Sequence, residues 1–191
     1  MAGRQAKTLA PMALKRMLAY VNRRSLSVRN KAIILLSVKA GLRAAEIANL
    51  EWSMVLDPSG KIADTIAIED RIAKKKSGRR IPMHSDLNQA LARLYKLSSG
   101  NGPVIESWRG GHMSPNSIVN WFAVLYRSLD LAGCSSHSGR RTFVTRAAKL
   151  TYKAGGSLRD VQILAGHRSI ETTQKYIDGD SHAQRRLISL L

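Results

Sequence analysis

Apolar residues recur every three or four positions through the first fifty residues, which is the spacing of amphipathic helices. Residues 11–20 show this spacing first, and the basic residues 22–25 separate them from a second helical pattern over 28–40. Gly41 follows that pattern directly, and glycine commonly ends helices. The sequence therefore predicts two helices and then a third, shorter one over 43–50.

Between residues 54 and 83 short apolar runs replace the helical spacing. The runs at 54–56, 61–69 and 80–83 predict three strands, because turn-forming residues separate them at 57–60 and 76–79. We expect these strands to form a small antiparallel sheet.

Helical spacing returns after the sheet and continues to the end of the sequence. Ser114 and Pro115 are typical of a helix start, and Gly166 ends a short helix that Ser157 and Asp160 open as a capping box. We therefore expect a mainly α fold with a small antiparallel β-sheet (the α+β class), whose later helices cover 86–97, 114–129, 137–150, 161–165, 171–177 and 183–191.

Charge points to a polyanionic partner. The 191 residues contain 31 Lys and Arg but only 13 Asp and Glu, which gives a formal charge of +18. This excess is spread along the chain, which favours a nucleic-acid binder over an enzyme of small metabolites. The length predicts a single domain, 1–191, that buries its own core.

Several kinds of chemistry lack their usual signatures. The five histidines are not spaced as a zinc helix motif, and one cysteine, Cys134, can form neither an internal disulfide nor a thiolate metal site. Phosphate-binding glycine loops are missing too. We therefore expect no metal and no cofactor. The longest apolar stretch, 32–36, is too short to cross a membrane, so we expect a cytoplasmic protein without membrane contact.

Arg43 and Glu46 are three residues apart in the sequence AGLRAAE (40–46). On a helix they share one face, where a carboxylate would hold the guanidinium in a fixed orientation. The alternative is an ordinary surface ion pair, which the spacing alone favours.

His137 and Arg140 have the same spacing at the start of a predicted helix. Paired guanidinium donors and the free amides of a helix N-terminus would together bind a phosphate. A solvated basic face is the alternative.

Tyr176 lies nine residues after His167, among polar neighbours. A phenol in that setting could act as a nucleophile, although an isolated tyrosine more often packs its ring into the core.

Five cations lie in or beside the predicted hairpin turn. A basic loop on a DNA-facing surface accounts for four of them, and one could reach a reacting oxygen; phosphate contact is also the interpretation of Arg141. The hairpin cations are Lys74, Lys75, Lys76, Arg79 and Arg80.

These groups could cleave a phosphodiester without a metal. Arg43 and Arg140 would stabilise charge on the non-bridging oxygens, Tyr176 would attack phosphorus, and a hairpin lysine would protonate the departing oxygen. A covalent phosphotyrosine conserves the energy of the broken bond, so no ATP is needed.

Four motifs in this order resemble the tyrosine recombinase (phage integrase) family over residues 8–185. They are AGLRAAE (40–46), a lysine ahead of the isoleucine–proline pair 81–82, HSGRRTF (137–143), and LAGH (164–167) followed by TTQKY (172–176). The resemblance implies the catalytic-domain fold of that family and site-specific DNA recombination.

By that resemblance, Tyr176 forms a 3′-phosphotyrosyl bond while Arg43 and Arg140 hold the scissile phosphate. Lys74, eight residues before Pro82, is the first choice for the general acid and Lys75 the alternate.

Three further residues receive supporting roles from the same resemblance. His137 and His167 handle protons and hydrogen-bond the phosphate, and Glu46 supports Arg43. Gly139 stands where the family usually has leucine, which we expect to loosen the helix by roughly 1 kcal/mol relative to alanine.

The resemblance also implies partners. These are double-stranded DNA, a homotetramer assembled on it, and docking of segment 178–191 on a neighbouring subunit. The family's usual N-terminal core-binding domain has no counterpart in this sequence. Three explanations stay open: a naturally short recombinase, a fragment, or a chain that an accessory or core-binding partner protein completes. Two other functions stay open: a DNA-binding accessory protein that does not cut, and a type IB topoisomerase.

Overall fold

A computed structural model describes residues 6–74, 77–176 and 188–189. Within these residues the chain forms eight α-helices, two 3₁₀ helices and one sheet of two strands. The helices are α1 (Pro11–Asn22), α2 (Ser27–Lys39), α3 (Ala44–Ala48), α4 (Ser85–Tyr95), α5 (Pro115–Ser128), α6 (Ser138–Leu150), α7 (Leu158–Ala165) and α8 (Ile170–Gln174). The strands are β1 (Thr65–Ile68) and β2 (Arg79–Pro82).

Helix α2 is the centre of the core. Seven consecutive residues of α2, from Ala32 to Val38, are buried, because other helices cover the helix on several sides. Helices α1, α4 and α6 pack against it, and α3 contacts both α2 and α5. The mainly helical fold predicted from the sequence is confirmed.

The sheet is smaller than the sequence predicted. β1 and β2 are antiparallel, with Thr65 opposite Pro82 and Ile68 opposite Arg79. The predicted strand 54–56 is wrong, because the chain there forms a 3₁₀ helix, Trp52–Met54, followed by an isolated bridge. Trp52, Met54 and Val55 are all buried. These side chains therefore reach the core from a tight turn of the backbone, and not from one face of an extended strand.

The connection between β1 and β2 is a loop of ten residues, 69–78, longer than the predicted turn. The carboxylate of Asp70 accepts a hydrogen bond from the amide of Gly78 at 2.8 Å, and Ser77 Oγ donates to the carbonyl of Lys74 at 2.9 Å. These two bonds fold the loop back on itself. Lys75 and Lys76 lie outside the described residues.

Glycine is required where α6 crosses α2. A Cβ atom on Gly139 would overlap the Oγ of Ser37 and lie 2.9 Å from its Cβ. Both residues are fully buried. The leucine that the family usually has would not fit here, so Gly139 permits close packing of the two helices and is more than a weak point in α6.

The end of the chain is described only in part. The predicted terminal helix 183–191 and the expected docking segment 178–191 lie outside the described residues, except for residues 188–189. In the part of the chain that is described, none of the helices is both long and apolar enough to span a membrane.

Candidate active site

Six side chains singled out in the sequence line one open cleft of about 470 Å³. They come from five separate parts of the chain: the start of α3, the 69–78 loop, the first turn of α6, the turn after α7 and the residue that follows the C-cap of α8. The fold therefore brings together what the sequence keeps up to 133 positions apart, namely Arg43, Lys74, His137, Arg140, His167 and Tyr176.

Arg43 is fixed by Glu46. The Arg43 amide donates to Glu46 Oε2 at 2.9 Å, and its guanidinium donates to Oε1 at 2.7 Å. The predicted ion pair is confirmed, but its setting differs from the prediction: Arg43 is the N-cap of α3, and Glu46 is fully buried. A surface ion pair is thus excluded, and the guanidinium enters the cleft from a buried anchor.

Arg79 does not lie on the DNA-facing surface that the sequence predicted for it. Only 2% of its side chain is exposed, and its guanidinium donates to both oxygens of Glu46 at 2.9 and 3.0 Å. Because side chains alternate along a strand, Arg79 points inward with Ile81, whereas Arg80 between them is exposed. That alternation was the signal in the sequence that distinguishes the two arginines.

Glu46 is held ionised despite its burial. Burial alone would raise its pKa, but hydrogen bonds and charge from Arg79 and Arg43 lower it to about 2. A buried carboxylate with two guanidinium partners is a fixed negative charge at the back of the cleft.

Arg140 is anchored by two backbone carbonyls. One guanidinium nitrogen donates to Gly41 O at 2.7 Å and the other to Ala165 O. Arg140 as a whole is 4% exposed to solvent. Burial lowers its pKa to about 9, with a further contribution from the charge of Arg43. The cation therefore persists at neutral pH, and its orientation is set by the ends of α2 and α7.

The turn that carries His167 is held by its backbone. Gly166 adopts a positive φ of 61°, which ends α7. The amide of His167 then donates to Gln162 O at 3.1 Å, and Gln162 Nε2 donates to His167 O at 2.9 Å. Gln162 was not singled out in the sequence, where nothing distinguishes it from a surface glutamine.

The imidazole of His167 is neutral at physiological pH. Burial, followed by the charges of Arg140, Arg43 and Arg79, lowers its pKa to about 4. Its Nδ1 lies 2.9 Å from the hydroxyl of Thr173, which is fully buried. When that hydroxyl donates to Nδ1, the proton of the neutral ring is on Nε2, where it can be donated to an oxygen in the cleft.

The ring of Tyr176 packs and also lines the cleft. It contacts a small cluster of buried apolar side chains between α6 and α7, separate from the main core. The cluster consists of Val144, Ala148, Val161 and Ala165. The Tyr176 ring also stacks on His167 and has the guanidinium carbon of Arg141 5.7 Å from its centroid. The two interpretations of this tyrosine, core packing and cleft residue, are therefore compatible.

His137 and Lys74 are more exposed than the two arginines. His137 is the N-cap of α6, and its amide donates to Ser135 Oγ at 3.3 Å. Lys74 lies at the edge of the cleft on the 69–78 loop, and its side chain also borders a smaller depression beside Gly166 and Arg168. Both positions allow contact with a bound polymer.

The remaining predicted DNA contacts fall into two groups. Arg80 is exposed on β2 and donates to Thr65 Oγ1 at 3.2 Å, and Arg141 lines the cleft. Lys75 and Lys76 lie outside the described residues. Thr172, Lys175 and Ser135 also line the cleft, although the sequence analysis assigned them no chemistry.

Among the described residues, no three His, Cys, Asp or Glu side chains are grouped closely enough to hold a metal ion. The cleft itself is lined by cations and imidazoles. Such a set favours a phosphate ligand over a metal.

Comparison with known proteins gives a consistent result. The model of the phage integrase family matches residues 7–182. The tyrosine recombinase XerC of Brucella suis biovar 1 is 29% identical over 162 residues, which are 82% of this chain and 48% of that protein. The XerC of Methylobacterium sp. strain 4-46 is 31% identical over 159 residues, 80% of this chain and 46% of that protein. This chain thus spans about half the length of these relatives.

Solved structures share the fold at lower identity. The XerA recombinase superimposes with a TM-score of 0.74 at 22% identity, covering 100% of this chain and 65% of that one. The Tn1549 transposon integrase in complex with a circular intermediate DNA gives a TM-score of 0.75 at 20% identity, covering 100% of this chain and 67% of that one.

Proposed function

Because the chain belongs to the phage integrase family, we propose that it breaks and rejoins DNA at specific sites through a covalent bond to Tyr176. The observation that carries the proposal is the convergence of six side chains on one cleft. Two guanidiniums, an ammonium, two imidazoles and a phenol can together bind a phosphate, supply a nucleophile and transfer protons, which is sufficient for phosphodiester transfer without a metal.

In the proposed reaction, Arg43 and Arg140 bind the non-bridging oxygens of the scissile phosphate. Their guanidiniums are anchored by Glu46, Gly41 O and Ala165 O. They therefore need little rearrangement as negative charge grows in the transition state, which is the condition under which such donors accelerate a reaction most.

Tyr176 supplies the nucleophile. Its hydroxyl gives its proton to the imidazole of His137, which lines the same cleft. The oxygen attacks phosphorus and forms a 3′-phosphotyrosyl bond, while the bond from phosphorus to the 5′ oxygen of the next nucleotide breaks. The leaving oxygen takes a proton from Lys74 and departs as a 5′ hydroxyl. Rejoining is the reverse: a 5′ hydroxyl attacks the phosphotyrosine and its proton returns to Lys74, while the bond from phosphorus to Tyr176 breaks and the tyrosine oxygen regains its proton from His137.

The histidines assist this transfer. In this proposal the Thr173 hydroxyl donates to Nδ1 of the neutral His167 ring, 2.9 Å away, so Nε2 carries the proton and donates a hydrogen bond to a phosphate oxygen. His137 lies at the N-terminus of α6, where free amides favour a phosphate. No ATP enters the reaction, since the phosphotyrosine conserves the bond energy.

DNA is the proposed substrate. A net charge of +18 predicts strong attraction to the phosphate backbone, and the Tn1549 integrase was solved in complex with DNA. The same proposal includes assembly as a homotetramer on two DNA sites and binding of an accessory or core-binding partner protein.

A suicide substrate tests the function. A nicked DNA duplex that carries the protein's own site loses a short fragment after cleavage, so the covalent complex accumulates. We expect the wild-type chain to form an adduct stable to denaturation, and Tyr176→Phe to bind the same DNA without forming one. Tight binding without any adduct would indicate a non-cutting accessory protein, and site-independent relaxation of plasmid supercoils would indicate a topoisomerase.

The general acid has a separate test. The Lys74→Ala substitution should abolish cleavage of normal DNA. The same variant should still cleave a 5′-phosphorothiolate substrate, because its sulfur leaves without a proton. The adjacent lysine gives the matched control. Lys75→Ala should cleave normal DNA at the wild-type rate and gain nothing from the phosphorothiolate. If Lys75→Ala loses cleavage and regains it on the phosphorothiolate while Lys74→Ala does not, Lys75 is the general acid.

A further inference from the structure

We propose that Arg79 is a positioning residue that fixes Arg43 and the His167 turn relative to each other, and that this buried guanidinium is needed for phosphate transfer although it does not touch DNA. The inference rests on the function proposed above for the cleft. It replaces the DNA contact that the sequence suggested for this side chain with a role inside the protein.

Arg79 contacts two separate elements at once. Two of its nitrogens donate to Glu46 on α3 at 2.9 and 3.0 Å. Its third, Nε, donates to the carbonyl of Leu164 near the end of α7 at 2.9 Å. All three nitrogens of the guanidinium are therefore used within the protein, and the side chain is 2% exposed.

Each of these contacts leads directly to a residue of the cleft. Glu46 Oε1, which accepts from Arg79, also accepts from the guanidinium of Arg43 at 2.7 Å. Leu164 is three residues before His167, and a Cβ on the intervening Gly166 would lie 3.0 Å from the Arg79 side chain. The turn that presents His167 is thus packed against Arg79 as well as bonded to it.

Arg79 also lies at the end of the loop that carries Lys74. It is the first residue of β2, directly after Gly78, whose amide is held by Asp70. Its bonds to Glu46 and to Leu164 O therefore join the start of β2 to α3 and to the end of α7. Through one side chain, the structure links the supports of Arg43 and of His167, which line the same cleft.

Charge makes this arrangement sensitive to substitution. Without Arg79, the buried Glu46 keeps only Arg43 as a charged partner among the described residues, so its charge is less well compensated and stability falls. A plain loss of stability can be separated from a loss of positioning by comparing Arg79→Met with the double variant Arg79→Met/Glu46→Gln. The single variant Glu46→Gln, which keeps Arg79, measures what the lost anchor of Arg43 alone costs in rate.

The experiment measures three quantities on the full chain: the unfolding midpoint, the affinity for site DNA, and the rate of adduct formation at saturating DNA. For Arg79→Met we expect a lower midpoint, unchanged affinity and a rate reduced about a hundred-fold, the cost of a misplacement near 1 Å. For the double variant we expect the midpoint to recover while the rate stays low. The matched control is Arg16→Met, which loses a single bond to Leu129 O away from the cleft and should keep the wild-type rate.

Recovery of the rate together with stability in the double variant would overturn the proposal, and so would a loss confined to DNA affinity. If Arg79→Met does not fold, Arg79→Lys serves in its place, since one ammonium cannot reach both Glu46 oxygens and Leu164 O in the same geometry.

A measurement that does not depend on DNA cleavage tests the positioning role of Arg79 separately from the proposed recombinase function. The side-chain NMR signals of Arg43 and of the His167 ring report their surroundings in the DNA-free chain. We expect both to shift in Arg79→Met and neither to shift in Arg16→Met. A wild-type chain that forms no adduct would refute the proposed function alone, whereas unchanged signals in Arg79→Met would refute the positioning role.

Discussion

The rings of His167 and Tyr176 are stacked, with centroids 5.7 Å apart and planes inclined by 20°. Tyr176 follows α8, a helix of five residues that is too short to be stable alone. The stack, together with the bond between His167 and Thr173, holds this short helix against the turn after α7. The proposed nucleophile is thereby placed in the same cleft as Arg43 and Arg140 of its own chain, the groups proposed to bind the phosphate.

The first prediction concerns the hydroxyl of Thr173. Thr173→Val preserves the shape of the side chain but removes the hydrogen bond to His167 Nδ1, so the imidazole can adopt the wrong tautomer. We expect adduct formation at saturating DNA to slow about ten-fold, which corresponds to one hydrogen bond of ordinary strength. Single-turnover rates measure the effect.

Thr151 provides the control for this substitution. It is another buried threonine, and its hydroxyl donates to Ser157 O outside the cleft. Thr151→Val should affect stability but not the rate. An equal loss of rate in both variants would show that the Thr173 hydroxyl has no specific role.

The second prediction concerns the anchoring of Arg140. Arg140→Lys keeps the positive charge but cannot donate to Gly41 O and Ala165 O in the same geometry. We expect the rate of adduct formation to fall by about 10²–10³, the usual cost of removing one preorganised donor to an oxyanion. A variant with the wild-type rate would mean that charge alone is sufficient.

The third prediction concerns the contact between α2 and α6. Gly139→Ala should lower the free energy of unfolding by about 1–3 kcal/mol, as overpacking in a tight core does. Ser37→Gly removes both side-chain atoms that the new methyl group would meet, so the double variant should regain much of the loss. Chemical denaturation measures all three variants, and additive losses would contradict the packing argument.

The fourth prediction concerns acid stability. The pKa of His167 in the folded chain is about 4, below its ordinary 6.5, so between these pH values the unfolded chain binds a proton that the folded chain does not. The free energy of unfolding should therefore decrease as the pH falls from 6.5 to 4. Glu46, with a pKa of about 2, adds a loss of the same sign below its ordinary 4.5.

The variant His167→Gln tests the contribution of His167, which applies to the pH range from 6.5 to 4. The difference in unfolding free energy between wild type and this variant, measured by denaturant titration at a series of pH values, should change between pH 6.5 and 4 and be constant above. A difference independent of pH would contradict the burial of a neutral imidazole.

Much of this fold could be predicted from the spacing of apolar residues and from the residues that typically begin or end helices. Gly41 and Gly166, for example, were predicted to end helices and do adopt positive φ values of 65° and 61°. The strand predicted over 54–56 failed because a short run of apolar residues carries no information about whether the backbone is extended or turned. Local pattern therefore predicts regular elements better than compact, buried turns.

The candidate site was predictable residue by residue, but its supports were not. Arg43, Arg140 and Tyr176 occur in short motifs that chemistry can interpret. Gln162 and Arg79 act through contacts 5 and 33 positions away in the chain, and no local sequence pattern records such a pairing. The misassignment of Arg79 arose because a cation beside a basic loop was taken as solvent-exposed, although strand alternation places it inside.

The claim that one chain supplies the whole cleft can be tested by mixing two inactive variants on one suicide substrate. Tyr176→Phe retains the arginines, and Arg43→Gln retains the tyrosine. If Tyr176 acts with the phosphate-binding groups of its own chain, the mixture should form no more adduct than either variant alone. Adduct on the Arg43→Gln chain in the mixture would show that the tyrosine acts in a neighbouring subunit, and would contradict this account.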